Sequence, residues 1–174
     1  CRDVCGHDFT KRLELLKFMV KFILHINRRC FDLAEEWAPE AMGAAAEGIA
    51  GMHEGLPRDP VSCASEVVKR MGAGDLETVM VAGLAGGLGL GGHGCGALAA
   101  AIWLKSLRWC REHPGKSAYG NPEAARVLRA FIDTVGDELS CEKLVGRRFT
   151  SIKDHTEFIQ KGGCAAILDA LARA

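Results

Sequence analysis

From Ala82 to Gly96 the chain reads AGLAGGLGLGGHGCG, eight glycines in fifteen residues, and then passes without a charge into ALAAAIW. A stretch with so few side chains does not sustain a regular helix or strand, because glycine loses the most conformational freedom on ordering. The run therefore predicts a tight turn set against a helix from about Cys95 to Arg111. No charged residue lies between Val79 and Leu104. The glycines at the centre of that span would break a lipid-exposed helix, so the expectation is a buried turn followed by a buried helix.

The remaining punctuation is helical. Thr10 is positioned to cap a long helix to about Leu33, and Trp37-Ala38-Pro39-Glu40 restarts a small-residue helix that ends near Gly51. Within the first of these, Lys17, Lys21 and His25 form a polar stripe along Leu13 to Ile26, an amphipathic pattern too short to cross a bilayer and suited to packing. The break Gly55-Leu56-Pro57-Arg58-Asp59-Pro60 sets residues 1–60, read as an N-terminal helical pair serving as a packing lid or a homodimer contact, apart from residues 61–174. Beyond it, Ser62 begins a helix closed by Gly72 and Gly74, and Asp75 caps a short one through about Leu84. Pro122 opens a helix with Val127, Leu128, Phe131, Ile132 and Val135 on one face, stopped by Gly136. A short helix opens at Ser140-Cys141, a segment runs from Asp154 to Gln160, and a last helix follows Gly162-Gly163. With aromatics at only 6 % and glycine and alanine abundant, the fold class is all-α: a compact bundle of about seven helices with a glycine-rich turn before a central helix.

At 174 residues the chain buries a core without staples. Its 22 basic and 22 acidic residues balance, which excludes a general attraction to nucleic acid or anionic lipid. No membrane span is expected. The chain starts at Cys1 with no visible signal peptide; this is read as a trimmed end, and the cytoplasm is favoured over the periplasm.

Eight cysteines ask for a chemical explanation. Four follow a small residue at an expected helix start: Ser62-Cys63, Gly94-Cys95, Ser140-Cys141 and Gly163-Cys164. Free backbone N–H groups and the positive end of the helix dipole favour thiolate there, the form that binds metal and attacks disulfides. Gly94 and Gly96 leave room beside Cys95 for backbone, sulfur and a cofactor to approach. Any one of these cysteines alone is as readily a small buried hydrophobe. Cys30 and Cys110 fall inside helices without glycine and read as core or surface thiols. Cys1 and Cys5 are spaced either to chelate or to form a disulfide. None of the four thiols belongs to a Cys-x-x-Cys pair, so the zinc-finger, ferredoxin and thioredoxin spacings are absent, and a site must be assembled from four separate helices. Cys1 to His7 also lacks the Cys-x-x-Cys-His of haem attachment, and no haem is expected.

The order of a lone cysteine in SCASEVVKRMG (Cys63), the glycine-rich approach GLAGGLGLGGHGCGALAAAIW (Cys95), and single cysteines at 141 and 164 resembles the C-GCAxxG-C-C family of redox-active proteins over about residues 60–174. The local run Gly94-Cys95-Gly96-Ala97-Leu98-Ala99 differs in detail from the family pattern. The resemblance implies an all-helical redox module related to one in the split-Soret cytochromes, where it accompanies haem and an iron–sulfur centre. It implies Cys63, Cys95, Cys141 and Cys164 as thiolate ligands of an iron–sulfur cluster, [2Fe–2S] being favoured, in an electron carrier or oxidoreductase component that meets a redox partner protein. Soft sulfur ligands suit such a centre.

Two other readings compete: metal-free thiol–disulfide chemistry with Cys63 or Cys95 attacking, and a zinc-stabilised helical module with a closed Cys₄ site. Gly87-Leu88-Gly89-Leu90-Gly91-Gly92 satisfies GxGxxG, with Thr78 to Val81 as the strand it would need, but a run this rich in glycine meets that pattern by chance. His93 reads as a turn histidine or else a ligand or proton relay. His113 and His155 read as solvated, as does the pair Arg147-Arg148, whose alternative role is docking an acidic electron partner.

Overall fold

The computed structural model describes residues 6–7, 11–24, 29–51 and 60–174, with the backbone alone at 29, 30, 45 and 48–51. Thr10, His25, Cys1, Cys5 and the break at 55–59 lie outside the described residues, as does the side chain of Cys30. The chain divides into two units, Cys1–Gly55 and Leu56–Ala174. Among the described residues there are nine α-helices, one short 3₁₀ turn and no strand, an all-α fold.

The first unit contributes α1 (Arg12–Ile23) and α2 (Arg29–Gly51). The long helix expected from Thr10 to Leu33 is thus not continuous: α1 ends at Ile23, where the Leu24 N–H bonds back to the Val20 carbonyl at 3.1 Å. The restart expected at Pro39 does not occur either, because α2 runs through that proline. Glu35, Glu36, Ala38, Glu40 and Ala41 are strong helix formers on both sides, enough to offset the hydrogen bond that proline removes. Phe22 stacks on Phe31 with ring centroids 4.9 Å apart. α1 buries none of its residues, and Leu13, Leu16 and Ile23 are exposed.

The second unit holds α3 (Cys63–Arg70), α4 (Asp75–Val81) with a 3₁₀ turn at Ala82–Leu84, α5 (Gly96–Glu112), α6 (Pro122–Val135), α7 (Cys141–Val145), α8 (Ile152–Gln160) and α9 (Ala165–Arg173). Local chemistry explains most boundaries. The Ser62 hydroxyl accepts the Ser65 N–H at 3.0 Å, and the Asn121 side chain accepts the Glu123 N–H at 2.9 Å ahead of Pro122. Gly136, at φ 74°, terminates α6. Gly74, not Asp75, is the cap of α4, and the Glu77 carboxylate accepts its N–H at 3.1 Å.

Helix α5 is central. It packs on α3 and α6, while α9 closes against α6, α3 and α5. Val67, Val68, Leu104, Val127, Phe131, Leu168 and Leu171 fill the interior, and the buried alanines 97, 100 and 101 let the helices approach closely. The expected buried turn and buried helix are both present: Ala85, Gly86 and Gly87 are buried ahead of α5. Among the described residues no helix is long and apolar enough to cross a membrane.

Candidate functional site: four thiols around a left-handed glycine turn

The glycine run is ordered by its own backbone. Gly86, Gly87, Leu88, Gly89 and Leu90 have φ of 60, 80, 63, 65 and 64° in succession, a left-handed turn. Two leucines in that region carry strain of about 1–3 kcal/mol each, which the surrounding bonds must hold. Those bonds close the turn on itself: the Gly89 N–H reaches the Gly83 carbonyl at 2.9 Å, Gly92 reaches Gly86 at 3.0 Å, and His93 reaches Gly87 at 3.2 Å.

The same run is then fastened to the stretch before α7. The Cys95 N–H donates to the Leu139 carbonyl at 2.8 Å, and the Cys141 N–H donates to the His93 carbonyl at 2.6 Å. The Glu142 N–H and the Ser140 hydroxyl both donate to the Gly92 carbonyl, at 2.9 and 3.1 Å. This short antiparallel contact, centred on Gly94 and Ser140, brings two of the four cysteines to facing chain segments. Gly87 is needed here, since a Cβ on it would stand 2.8 Å from the Cβ of Cys141 and 2.6 Å from the His93 nitrogen. At Gly96 a Cβ would collide with the Leu84 carbonyl, so its space is filled by the protein's own backbone. Gly94 is exposed with open space around it.

All four cysteines sit at helix starts. Cys63 is the first residue of α3 and Cys141 the first of α7; Cys95 is the cap of α5, and Cys164 caps α9 at φ 60°. Cys63, Cys95 and Cys141 are buried and Cys164 is half-buried. The Cys63 sulfur accepts the Gly86 N–H, and the Cys95 sulfur accepts the N–H groups of Leu98 and Ala97. Cys63, Cys95 and Cys164 belong to one apolar cluster with Val67, Leu98 and Leu168.

The thiols also feel one another. Burial pushes Cys63 up to about 12, opposed by the Gly86 N–H and reinforced by charge on Cys95, Cys164 and Cys141. Burial likewise pushes Cys164 up to about 12, with Cys95 and Cys141 adding to it, and Cys141 up to about 11, with Cys95 adding. Cys95 is raised by burial against the pull of its two N–H donors. The helix starts were expected to lower these thiols; desolvation outweighs the dipole, because the helix ends face the interior. Among the described residues no lysine, arginine or histidine charge offsets the rise.

No three His, Cys, Asp or Glu side chains among the described residues are drawn together tightly enough to clasp a single metal ion. Four sulfurs on one zinc, at ~2.3 Å each, would stand about 4 Å apart. Cys110 lies within α5, partly buried.

The other sequence motifs resolve structurally. Thr78 to Val81 belongs to α4, so no strand leads into the GxGxxG run and the dinucleotide-binding reading fails. His93 has an exposed side chain and serves the site through its backbone. His113 is not solvated but stacks on Trp109, ring centroids 4.3 Å apart. His155 is buried, 3 % exposed, with its ring against Phe149. The residue was missed although His155 and Ile159, four apart, share the inward face of α8. Neither arginine is simply solvated: Arg148 pairs with Glu142 at 3.0 Å, and Arg147 grips Asp154 through two bonds of 3.0 and 2.8 Å while lying over Phe149.

Asp154 is held below the usual carboxylate range by the Arg147 guanidinium and then by the Thr150 N–H. A lowered carboxyl stabilises the fold above its unfolded pKa, and that contribution fades as pH falls through the folded one. Urea unfolding of the native chain and of Asp154→Asn should differ at pH 7 and converge once the pH falls below the lowered pKa of Asp154; a gap that persists in acid would contradict this.

Fold and site together define an all-α protein with a left-handed glycine turn and four cysteines at helix starts, electrostatically coupled to one another. Comparison with protein-family models, with curated proteins and with solved structures gives no match to this chain.

Proposed function

We propose that Cys63, Cys95, Cys141 and Cys164 hold an iron–sulfur cluster, of [2Fe–2S] type, and that the protein passes electrons to a partner protein. One observation carries the reading: cysteines from four separate helix starts lie near enough for charge on one to raise another, beside a turn whose backbone is hydrogen-bonded in place. A frame fixed in this way limits the chain entropy lost when ligands from distant segments converge.

The chemistry of the donor set supports it. Buried thiols that raise one another and have no cationic side chain to answer them remain protonated unless a positive centre enters. Iron supplies that charge, and when bound it supplies a one-electron couple. The Gly86, Ala97 and Leu98 N–H groups on two of the sulfurs would favour the reduced, more negative state. The resemblance to the C-GCAxxG-C-C family over residues 60–174 points the same way.

Metal-free exchange is the second reading. Cys95 would be its attacking thiol, since charge there raises the other three. Burial raises all four thiols, Cys95 included, so little attacking thiolate forms near neutral pH, which makes that reading the weaker one. Anaerobic purification followed by iron, acid-labile sulfide and zinc analysis separates the readings. Iron and sulfide in equal amounts are expected. Zinc alone, or a colourless protein that takes up no iron on reconstitution, would overturn the proposal.

A further inference from the structure

A second feature of the same unit borders the glycine turn. A cavity of about 470 Å³ is bounded by the start of α3, the end of α4 with its 3₁₀ turn, the tip of the glycine run and α8. Val61, Val79, Ala82, Ala85 and Leu90 give it an apolar lining, and it carries no Lys, Arg, Asp or Glu. Exposed Gly83, Gly89 and Ile152 edge its mouth.

Three polar side chains reach this lining, and two of them are already occupied. The Ser62 hydroxyl accepts the Ser65 N–H and donates to the Ser65 oxygen, both at 3.0 Å. The Thr156 hydroxyl donates to the Val61 carbonyl at 3.0 Å. His155 is the third. It is 97 % buried, its ring meets Phe149 edge-on, and it has no hydrogen-bond partner among the described residues. A polar side chain with no internal hydrogen bond that lines a roomy apolar cavity is the usual device by which a pocket orients a ligand.

The geometry points to a binding site for a small, uncharged, largely apolar molecule carrying a hydroxyl or carbonyl group, which His155 engages from the pocket wall. Burial holds the imidazole below its usual value, with Asp154 opposing, so the ring is neutral near pH 7 and offers one donor and one acceptor. A charged ligand would find no counter-charge in the lining and would lose its hydration. The site is independent of the reading given to the four thiols, and its test involves neither iron nor thiol chemistry.

The probes are 2-naphthol, naphthalene and 2-naphthoate, which share a ring system and differ in the polar group. In the unmodified protein 2-naphthol should bind saturably and shift the ring carbon and proton resonances of His155, an outcome that needs no variant. Naphthalene should bind about five- to tenfold more weakly, the loss expected for one hydrogen bond, and naphthoate should not compete. His155→Leu should reduce 2-naphthol binding to the level of naphthalene while leaving naphthalene unchanged. Val79→Trp, which fills the cavity from α4, should abolish both. Absence of saturable naphthol binding, binding that leaves the His155 resonances unmoved, or naphthoate binding more tightly than naphthol would each overturn the proposal.

Discussion

Serine in place of Cys63, Cys95, Cys141 or Cys164, one at a time, is expected to lower bound iron and acid-labile sulfide at least about fivefold after anaerobic purification, and to bleach the visible spectrum. Serine is a harder, more weakly ionised ligand than cysteine, and a cluster that loses one of four anchors is exposed on that side. Cys110→Ser, inside α5 and outside the group, should keep the native content, and so should Cys30→Ser. Circular dichroism establishes that each variant is folded before the metal is counted. Equal retention in both sets would show that the four thiols do not form one site. Loss at only two positions would show that the other two thiols are not ligands.

Gly96→Ala is expected to be the most damaging single methyl in the second unit. The new Cβ would meet the Leu84 carbonyl and lie 3.2 Å from the Ala85 Cα, both backbone atoms that cannot swing aside. Overpacking against a backbone should cost about 3 kcal/mol or more, a large part of the stability of a domain this size. The urea midpoint should fall sharply, and any cofactor should be lost with the turn. Gly94→Ala, two residues earlier, meets nothing within 4 Å and has no left-handed φ. Its midpoint should move by no more than about 0.5 kcal/mol. Equal effects of the two substitutions would refute the packing described for Gly96.

The contrast between these two glycines shows what could be read in the chain and what could not. Helix starts are set by neighbours three or four residues away, so Ser62, Asn121 with Pro122, and Gly136 mark boundaries that the fold keeps. The four cysteines at helix starts were legible for the same reason. The acidity of the thiols was not, because it depends on whether a helix end faces water or the interior, a tertiary property. Leu88 and Leu90 at positive φ are held by their own N–H bonds to the Leu84 and Ala85 carbonyls, which no local preference announces. Pro39 misled because propensity on both sides of it overrides the lost hydrogen bond. His155, set among charged neighbours, looked solvated; only the α8 face it shares with Ile159 places it against Phe149 and the cavity.

The central claim is that four sulfurs from distant stretches share one inorganic centre. Iron-edge X-ray absorption on the anaerobically purified protein measures this directly. The account predicts an all-sulfur shell around iron together with iron–iron scattering, both lost in Cys63→Ser and Cys164→Ser. A shell of nitrogen or oxygen neighbours, or iron scattering that is the same in those variants as in the native chain, would contradict it.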